Sequence, residues 1–139
     1  KFYLAGRMMP DWLINLNLPN VEVVGEVPDA QSFIRSKAIM IVPLFSGSGI
    51  RVKIIEGMAL GKTVISSDIG AEGIDFIAGQ HLLIANTPEE FLLAIERCIA
   101  DRDFCDRLGK NARKLIEDKH NMPQIIHKLE DFYRQILEN

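Results

Sequence analysis

A glycine- and serine-rich loop between an apolar strand and a helix is the feature that most constrains this fold. The segment Pro43 to Ala71 has the sequence PLFSGSGIRVKIIEGMALGKTVISSDIGA. It predicts a strand over Ala38–Val42, the loop Ser46–Gly49, a helix from about Gly49 to Leu60 and a strand over Thr63–Ser66. This order places backbone N–H groups and a helix N-terminus where a phosphate would sit.

The remainder of the chain also combines short apolar strands with helices. Further strands are predicted over Phe2–Ala5, Asn20–Val24 and His81–Ile84. The first predicted helices are one or two turns at 11–16 and a helix capped by Asp29 that ends at Arg35 or Ser36. A helix with a Thr87 capping box ends near Ala100, and another extends from Asp106 or Leu108 to Lys119. After an interruption at Pro123, the last predicted helix covers Gln124–Leu137. Strands alternating with helices predict an α/β fold with a parallel sheet and right-handed crossovers.

Four turns at predicted strand ends are the candidate pocket. They contain Gly6, Gly25, Ser46–Gly49 and Asp68–Gly70. Because parallel sheets bind ligands beyond the carboxyl ends of their strands, we expect these turns to line one pocket.

Composition narrows the class of protein. The 139 residues are 47% hydrophobic and 25% charged, which predicts one globular domain over residues 1–139. The net charge of −3 argues against a nucleic-acid partner, and no apolar run approaches the roughly 20 residues of a membrane span. Cys98 and Cys105 lie in one predicted helical region without metal-ligand company, which favours reduced thiols and a cytoplasmic location.

The loop Ser46–Gly49 has two interpretations. Its small residues would let the backbone approach a diphosphate, whose charge the helix dipole favours. Alternatively, the loop is a plain strand-to-helix turn in which a serine caps the helix. The sequence matches neither the dinucleotide-binding G-x-G-x-x-G pattern nor the P-loop, since no Gly-Lys-Ser/Thr follows.

Three cations are candidate phosphate contacts. Arg51 and Lys53 fall in the predicted first turn of the helix, where positive charge opposes the helix dipole and an anionic ligand would remove the conflict. The alternative is that both are solvated, with Lys53 paired to Glu56. Arg7 follows Gly6 at a strand end and could reach an anion or form a salt bridge.

Glu56 is the candidate acceptor for vicinal ribose hydroxyls. It lies between apolar residues and is followed by Gly57, a poor helix former whose presence predicts close packing on that face. The alternative is an exposed residue on the other face of the helix. His81, His120 and His127 show no metal-ligand spacing, and no catalytic Ser/His/Asp or Cys/His set can be argued.

Taken in order, these segments resemble the C-terminal, donor-binding domain of GT-B-fold retaining glycosyltransferases, the family called glycosyl transferases group 1. The resemblance covers nearly the whole chain. It is carried by Leu4–Gly6, Val21–Val27, Asp29–Ser36, Ile41–Gly73, Leu82–Ile84, Thr87–Glu90, Asn111–Arg113 and the helix with Phe132 and Tyr133. It implies a Rossmann-like parallel sheet with flanking helices, the C-terminal half of a GT-B fold truncated at its N-terminus.

The resemblance also implies roles for residues of the central segment. Glu56 matches the second of the family's two glutamates, which binds the ribose, and Ser48 occupies the place of the first, which usually contacts the donor sugar. Gly49 matches the glycine whose backbone approaches the diphosphate, and Ile50 and Lys53 complete this part of the donor site.

A second group of implied contacts lies earlier in the chain. The segment Val21–Val27 resembles the strand and turn that receive the nucleobase, which makes Gly25 and Val27 donor-binding candidates.

The implied activity is sugar transfer with retention from a UDP- or GDP-type donor, without an obligatory metal, in carbohydrate biosynthesis. The chain begins inside a predicted core strand at Lys1, so we expect a first strand and an acceptor domain to precede it. The fragment alone is then expected to be inactive. The acceptor, a carbohydrate or a lipid-linked one, would bind through that domain, either in the cytoplasm or at the inner face of the membrane.

Two other functions stay open. One is a sugar-nucleotide epimerase of the same fold. The other is a non-catalytic binding or scaffold module, which Ser48 in place of glutamate favours.

Overall fold

The computed structural model describes residues 1–120 and 122–137, and it confirms an α/β fold with parallel strands and flanking helices. The chain divides into two compact units, residues 1–36 and 37–139, and each is described by itself. The single-domain boundary 1–139 stays a prediction.

The first unit contains two parallel strands and two short helices. Its elements are β1 (Phe2–Ala5), α1 (Asp11–Ile14), β2 (Val21–Gly25) and α2 (Ala30–Arg35). The predicted limits of β1 are confirmed, whereas α1 ends two residues early and β2 lies one residue later than predicted. No residue of this unit is fully buried.

The N-terminus of α2 confirms the predicted cap. Oδ1 of Asp29 accepts hydrogen bonds from the backbone N–H groups of Gln31 at 2.9 Å and Ser32 at 3.2 Å. The Ser32 hydroxyl also donates to the Asp29 carboxylate. These bonds satisfy N–H groups that have no acceptor within the helix.

The second unit is built on a three-stranded parallel sheet. Its strands are β3 (Ile39–Val42), β4 (Thr63–Ser66) and β5 (Leu83–Ile84), with β4 in the centre. Ile39 pairs with Thr63 and Ile65 with Leu83. The strands therefore form two parallel sheets where one was predicted, because strand–helix alternation predicts parallel pairing but not which strands pair.

The described part of the second unit contains five helices. They are α3 (Val52–Ala59), α4 (Asp68–Ala71), α5 (Pro88–Ala100), α6 (Arg102–Lys119) and α7 (Met122–Leu137). Gly61 follows α3 with a φ of +71°, and the N–H groups of Gly61 and Lys62 donate to the carbonyls of Met58 and Gly57 at 2.9 and 3.0 Å. This Schellman motif confirms Gly61 as the residue that ends the helix.

A single residue, Asp101, connects α5 to α6. It is the C-cap of α5, and its carboxylate accepts the Phe104 N–H at 2.8 Å as the N-cap of α6. The predicted start of α6 at Asp106 or Leu108 was wrong, because this cap lets the helix begin at Arg102. The capping box of Thr87 and Glu90 at the start of α5 is confirmed.

The last helix was predicted to begin after Pro123, but α7 begins at Met122 and includes this proline. A proline is tolerated in a first helical turn, where its missing N–H would have no helical acceptor. None of the helices in the described ranges is long and apolar enough to cross a membrane.

Two buried clusters form the core of the second unit, one on each face of β4. Val64 belongs to the cluster formed with α3 and α6, and Ile65 to the cluster formed with α5 and α6, because successive strand residues face opposite sides. The main members are Ile54, Met58, Leu82 and Ala112 in the first cluster, and Leu83, Phe91, Cys98 and Leu108 in the second. All four residues of β4 are buried as a result.

Candidate functional site

The loop after β3 and the turn after β4 lie together at the carboxyl edge of the three-stranded sheet. The Ser67 N–H donates to the Val42 carbonyl at 3.3 Å, and the Ser67 hydroxyl donates to the Leu44 carbonyl. The Phe45 ring contacts Phe91 edge-on, with centroids 6.4 Å apart. The end of β3 is thereby fixed to the core, and residues 46–50 extend beyond it as an exposed loop.

Two left-handed glycines shape the exposed loop. Gly47 has a φ of +119° and Gly49 a φ of +85°, a region that other residues adopt only with strain. Ser48 lies between them and is exposed, as is Ile50, whose side chain packs against Gly73. The loop therefore presents backbone and small side chains, as the phosphate interpretation requires.

Helix α3 begins three residues later than predicted. Its N-cap is Arg51, and no side chain caps it, so the alternative of a serine cap is also wrong. The positive φ angles of Gly47 and Gly49 explain the late start, since a right-handed helix cannot include them. The first helical residues are Val52 and Lys53, whose N–H groups have no acceptor within an α-helix.

Arg51 contacts the loop itself. Its Nη1 donates to the Ser48 carbonyl at 3.0 Å, and a Cβ on Gly47 would lie 2.5 Å from its Nη2. Its Nε is buried and has no hydrogen-bond partner among the residues that the structure describes. Arg51, a predicted phosphate contact, thus lies against the backbone of the glycine loop and keeps one unsatisfied donor, Nε.

Glu56 lies on the second turn of α3. Its side chain is 26% exposed and its Oε2 is 3.9 Å from Nζ of Lys53, which is 66% exposed. Glu56 and Lys53, both predicted to contact the sugar nucleotide, therefore form an ion pair with each other. This pairing is the alternative that was predicted for Lys53. Because Lys53 is mostly exposed and the two atoms are 3.9 Å apart, this ion pair contributes little to stability, and a ligand could replace it.

Gly57 confirms the predicted close packing beside Glu56. It is buried, and a Cβ there would lie 2.6 Å from Sδ of Met40. The helix therefore approaches β3 closely at this point, and Glu56 is held at a fixed distance from the sheet.

The turns after β4 and β5 are joined by Asn86. Its Oδ1 accepts the Asp68 N–H at 3.0 Å, its Nδ2 donates to Oδ2 of Asp68 at 2.6 Å, and its own N–H donates to Oε2 of Glu90 at 2.6 Å. Asn86 was not among the site residues predicted from the sequence. The position of an asparagine between a strand and the Thr87 cap could have indicated it.

The turns after β1 and β2 belong to the first unit. Gly25 ends β2 with a φ of +74°, and its carbonyl accepts the Gly6 N–H at 2.8 Å. Arg7 forms a salt bridge with Glu26, with Nη2 and Oε1 2.7 Å apart, so the salt-bridge alternative is observed for Arg7. Val27 is half-buried. The pocket formed by all four turns stays a prediction, as do the base contacts of Gly25 and Val27.

The histidines and cysteines do not form a further site at this edge. Nδ1 of His81 accepts the Ile77 N–H at 3.0 Å, and burial lowers the pKa of His81. Cys98 and Cys105 are free thiols in this structure, and their reduced state stays a prediction. Across residues 1–120 and 122–137, no three His, Cys, Asp or Glu side chains are arranged to hold a metal ion. Metal independence stays a prediction.

Comparisons with known proteins identify the family of this chain. A family model described as "Glycosyl transferases group 1" matches residues 1–101. An uncharacterized glycosyltransferase, MJ1178 of Methanocaldococcus jannaschii, is 28% identical over 112 residues, which are 78% of this chain and 32% of that protein. The capsular polysaccharide biosynthesis glycosyltransferase CapM of Staphylococcus aureus is 27% identical over 92% of this chain and 34% of that protein.

A solved structure shows the same fold. Anabaena Alr3699/HepE, crystallised in complex with UDP, has a TM-score of 0.75 and 16% identity over 83% of this chain and 32% of that one. The same protein has also been crystallised with UDP-glucose. The two curated relatives described above are much longer than this chain, which spans 32% of one and 34% of the other, about a third of their length.

Proposed function

Because the chain belongs to the glycosyl transferases group 1 family, we propose that it is the donor-binding part of a retaining glycosyltransferase. The full protein would transfer a sugar from a UDP- or GDP-type donor to a carbohydrate or lipid-linked acceptor. The UDP and UDP-glucose complexes of the Anabaena neighbour support uridine diphosphate as the first donor nucleotide to test.

One observation carries this proposal: the exposed glycine loop leads into the free N-terminus of α3 on the edge where parallel sheets bind ligands. The N–H groups of Val52 and Lys53 and the positive end of the helix dipole favour an anion there. Because Gly47 and Gly49 carry no side chains, a diphosphate could approach the backbone closely.

The distance along α3 suits the step from the diphosphate of a nucleotide to its ribose. Glu56 is four residues beyond Val52, which is about 6 Å along the helix axis. A diphosphate at the N-terminus would therefore bring its ribose within reach of the Glu56 carboxylate, which can accept hydrogen bonds from two vicinal hydroxyls. Lys53, exposed and beside Glu56, would contact a phosphate oxygen.

The chemical role of this edge would be to stabilise the leaving diphosphate. Negative charge develops on it as the sugar departs, and prearranged N–H groups and cations lower the energy of that transition state. No covalent step is required of these residues. A cytoplasmic location and independence from metal complete the proposal.

Calorimetry with UDP, GDP and ADP tests the donor site directly. We expect one diphosphate to bind and Glu56→Ala to weaken it by about 10- to 100-fold, the effect of losing a hydrogen bond to a charged group. Glu96→Ala is the matched control, since Glu96 is an exposed glutamate on α5. Equal effects of the two substitutions would rule out the assigned role of Glu56.

Ser48 in place of the family's first glutamate favours one other candidate, a non-catalytic module of the same fold. Binding that survives Ser48→Ala and is lost in Glu56→Ala would support the donor site. If neither this chain nor a longer protein containing it binds a nucleotide, the non-catalytic module is the better description. Epimerase activity of the longer protein would instead replace transfer as the reaction.

A further inference from the structure

The two cysteines meet at the corner between α5 and α6. Cys98 is on the last turns of α5 and Cys105 on the first turns of α6, with Asp101 between the helices. Cys105 packs against the buried cluster that contains Cys98. Cys98 is 3% exposed and Cys105 is half-buried. The pair therefore has one protected thiol and one that a reagent can approach.

A cleft of about 390 Å³ is lined by both cysteines. It lies where β3 and β4 begin, so it opens at the edge of the sheet opposite the glycine loop. Its charged lining residues are Lys62, Arg102 and Asp106, which give an excess of one positive charge. The cleft thus combines two adjacent thiols with a mildly cationic wall, in a place that the proposed donor site does not use.

We propose that Cys98 and Cys105 are a thiol-oxidation site, which a small anionic disulfide entering this cleft converts to an intramolecular disulfide. Both cysteines lie at the same helix corner and line the same cleft, and forming the bond requires their sulfurs to approach to about 2 Å. The proposal is independent of nucleotide binding.

The reaction is thiol–disulfide exchange in two steps. The Cys105 thiolate attacks one sulfur of the reagent, forms a mixed disulfide and releases one reagent thiolate, which takes up a proton. Cys98 then gives up its proton and attacks the Cys105 sulfur, which releases the second reagent thiol. The two cysteines lose two electrons in total, and the reagent disulfide gains them as two thiols.

The two steps should differ in rate. Burial and the neighbouring Cys105 side chain raise the pKa of Cys98 to about 12, so little of it is thiolate near neutral pH. Cys105 is the more exposed thiol and attacks first. Closure by Cys98 is slower, although its position next to the mixed disulfide raises its effective concentration. We therefore expect the mixed disulfide at Cys105 as an intermediate.

Oxidised glutathione and intact-mass spectrometry test the site in the full chain. We expect a transient glutathione adduct followed by loss of two hydrogen atoms, with a bond between the tryptic peptides Cys98–Arg102 and Asp103–Arg107. Cys98→Ser should stop at the adduct, and Cys105→Ser should react far more slowly. An unlinked wild-type product, or equal rates for Cys105→Ser and wild type, would overturn the proposal.

A neutral disulfide reagent distinguishes recognition of an anionic reagent by the cleft from reaction that depends only on the exposure of the thiol. Hydroxyethyl disulfide should oxidise the pair more slowly than glutathione disulfide at low salt, and high salt should reduce the difference, because ions screen Lys62 and Arg102. Equal rates at low salt would contradict recognition of an anionic reagent by the cleft.

Discussion

Both units consist of parallel strands and helices, but the residues of these elements are buried to very different extents. In residues 1–36 no side chain is fully buried, and the first and last residues of β1, Phe2 and Ala5, are exposed. In residues 37–139 every residue of β4 is buried between two clusters. Parallel strands with short helices are thus not sufficient for a core. A strand needs helices that cover both of its faces, and β4 has them.

The largest expected effect comes from truncating a matched pair of helical leucines. Leu108 of α6 is 1% exposed, so Leu108→Ala should lower the free energy of unfolding by about 2–5 kcal/mol through the cavity it leaves. Leu13 of α1 is only half-buried, so Leu13→Ala should cost much less. Urea denaturation measures both, and equal losses would remove the distinction between the units.

The next effect tests how closely α6 is packed. A Cβ on Gly109 would lie 2.1 Å from the Gly61 carbonyl oxygen, a backbone atom that cannot rotate away. Gly109→Ala should therefore destabilise the chain by about 1–3 kcal/mol, although alanine in a helix is normally favoured by about 1 kcal/mol. Lys110→Ala, at an exposed neighbour, should change the thermal midpoint little. A stabilised Gly109→Ala would show that this contact is loose.

Helix caps give a smaller effect in each unit. Thr87→Ala removes the acceptor for the Glu90 N–H, and Asp29→Ala removes the acceptors for Gln31 and Ser32. Each should cost about 1 kcal/mol at its own helix. Hydrogen exchange can assign the loss, which should appear in the amides of α5 for Thr87→Ala and of α2 for Asp29→Ala. Thr87→Ser, which keeps the hydroxyl, is the control.

Acid should weaken one exposed contact in each unit, and this is the smallest effect. Hydrogen bonds from Ser32 lower the pKa of Asp29, and the hydrogen bond from Lys119 lowers the pKa of Asp75, both from an ordinary value of 3.8. Because the folded pKa is the lower one, each contact stabilises the chain above pH 3.8 and is lost as pH falls through the folded pKa.

NMR titration of the two carboxyl groups measures these pKa values directly. Asp29→Asn and Asp75→Asn remove the titrating group, so each variant should lose less stability on acidification than the wild-type chain. A pKa at or above the ordinary value for either carboxyl group would contradict the hydrogen bonds described for it.

Local signals account for what the sequence predicted correctly. The limits of β1 and β4, the caps Asp29 and Thr87, and the helix end at Gly61 all depend on residues within a few positions of each other. Propensity and capping chemistry operate over that range, so a single sequence suffices to predict them.

The features that the sequence could not predict depend on backbone angles or on distant residues. The start of α3 required the positive φ angles of Gly47 and Gly49, which glycine permits but does not impose. Asn86 contacts Asp68, 18 positions away, and no local pattern encodes that pairing. In the candidate site, the roles of the predicted residues stay predictions, and the sequence did not predict how Arg51 and Glu56 are held.

The shared cap at Asp101 has a consequence for how this part of the chain can vary in length. Since one residue ends α5 and begins α6, no spacer exists that could absorb an insertion. One extra residue after Asp101 would turn α6 by about 100° around its axis. Phe104 and Leu108 would then point away from the core. Related chains should therefore keep this junction at constant length and place their insertions and deletions elsewhere.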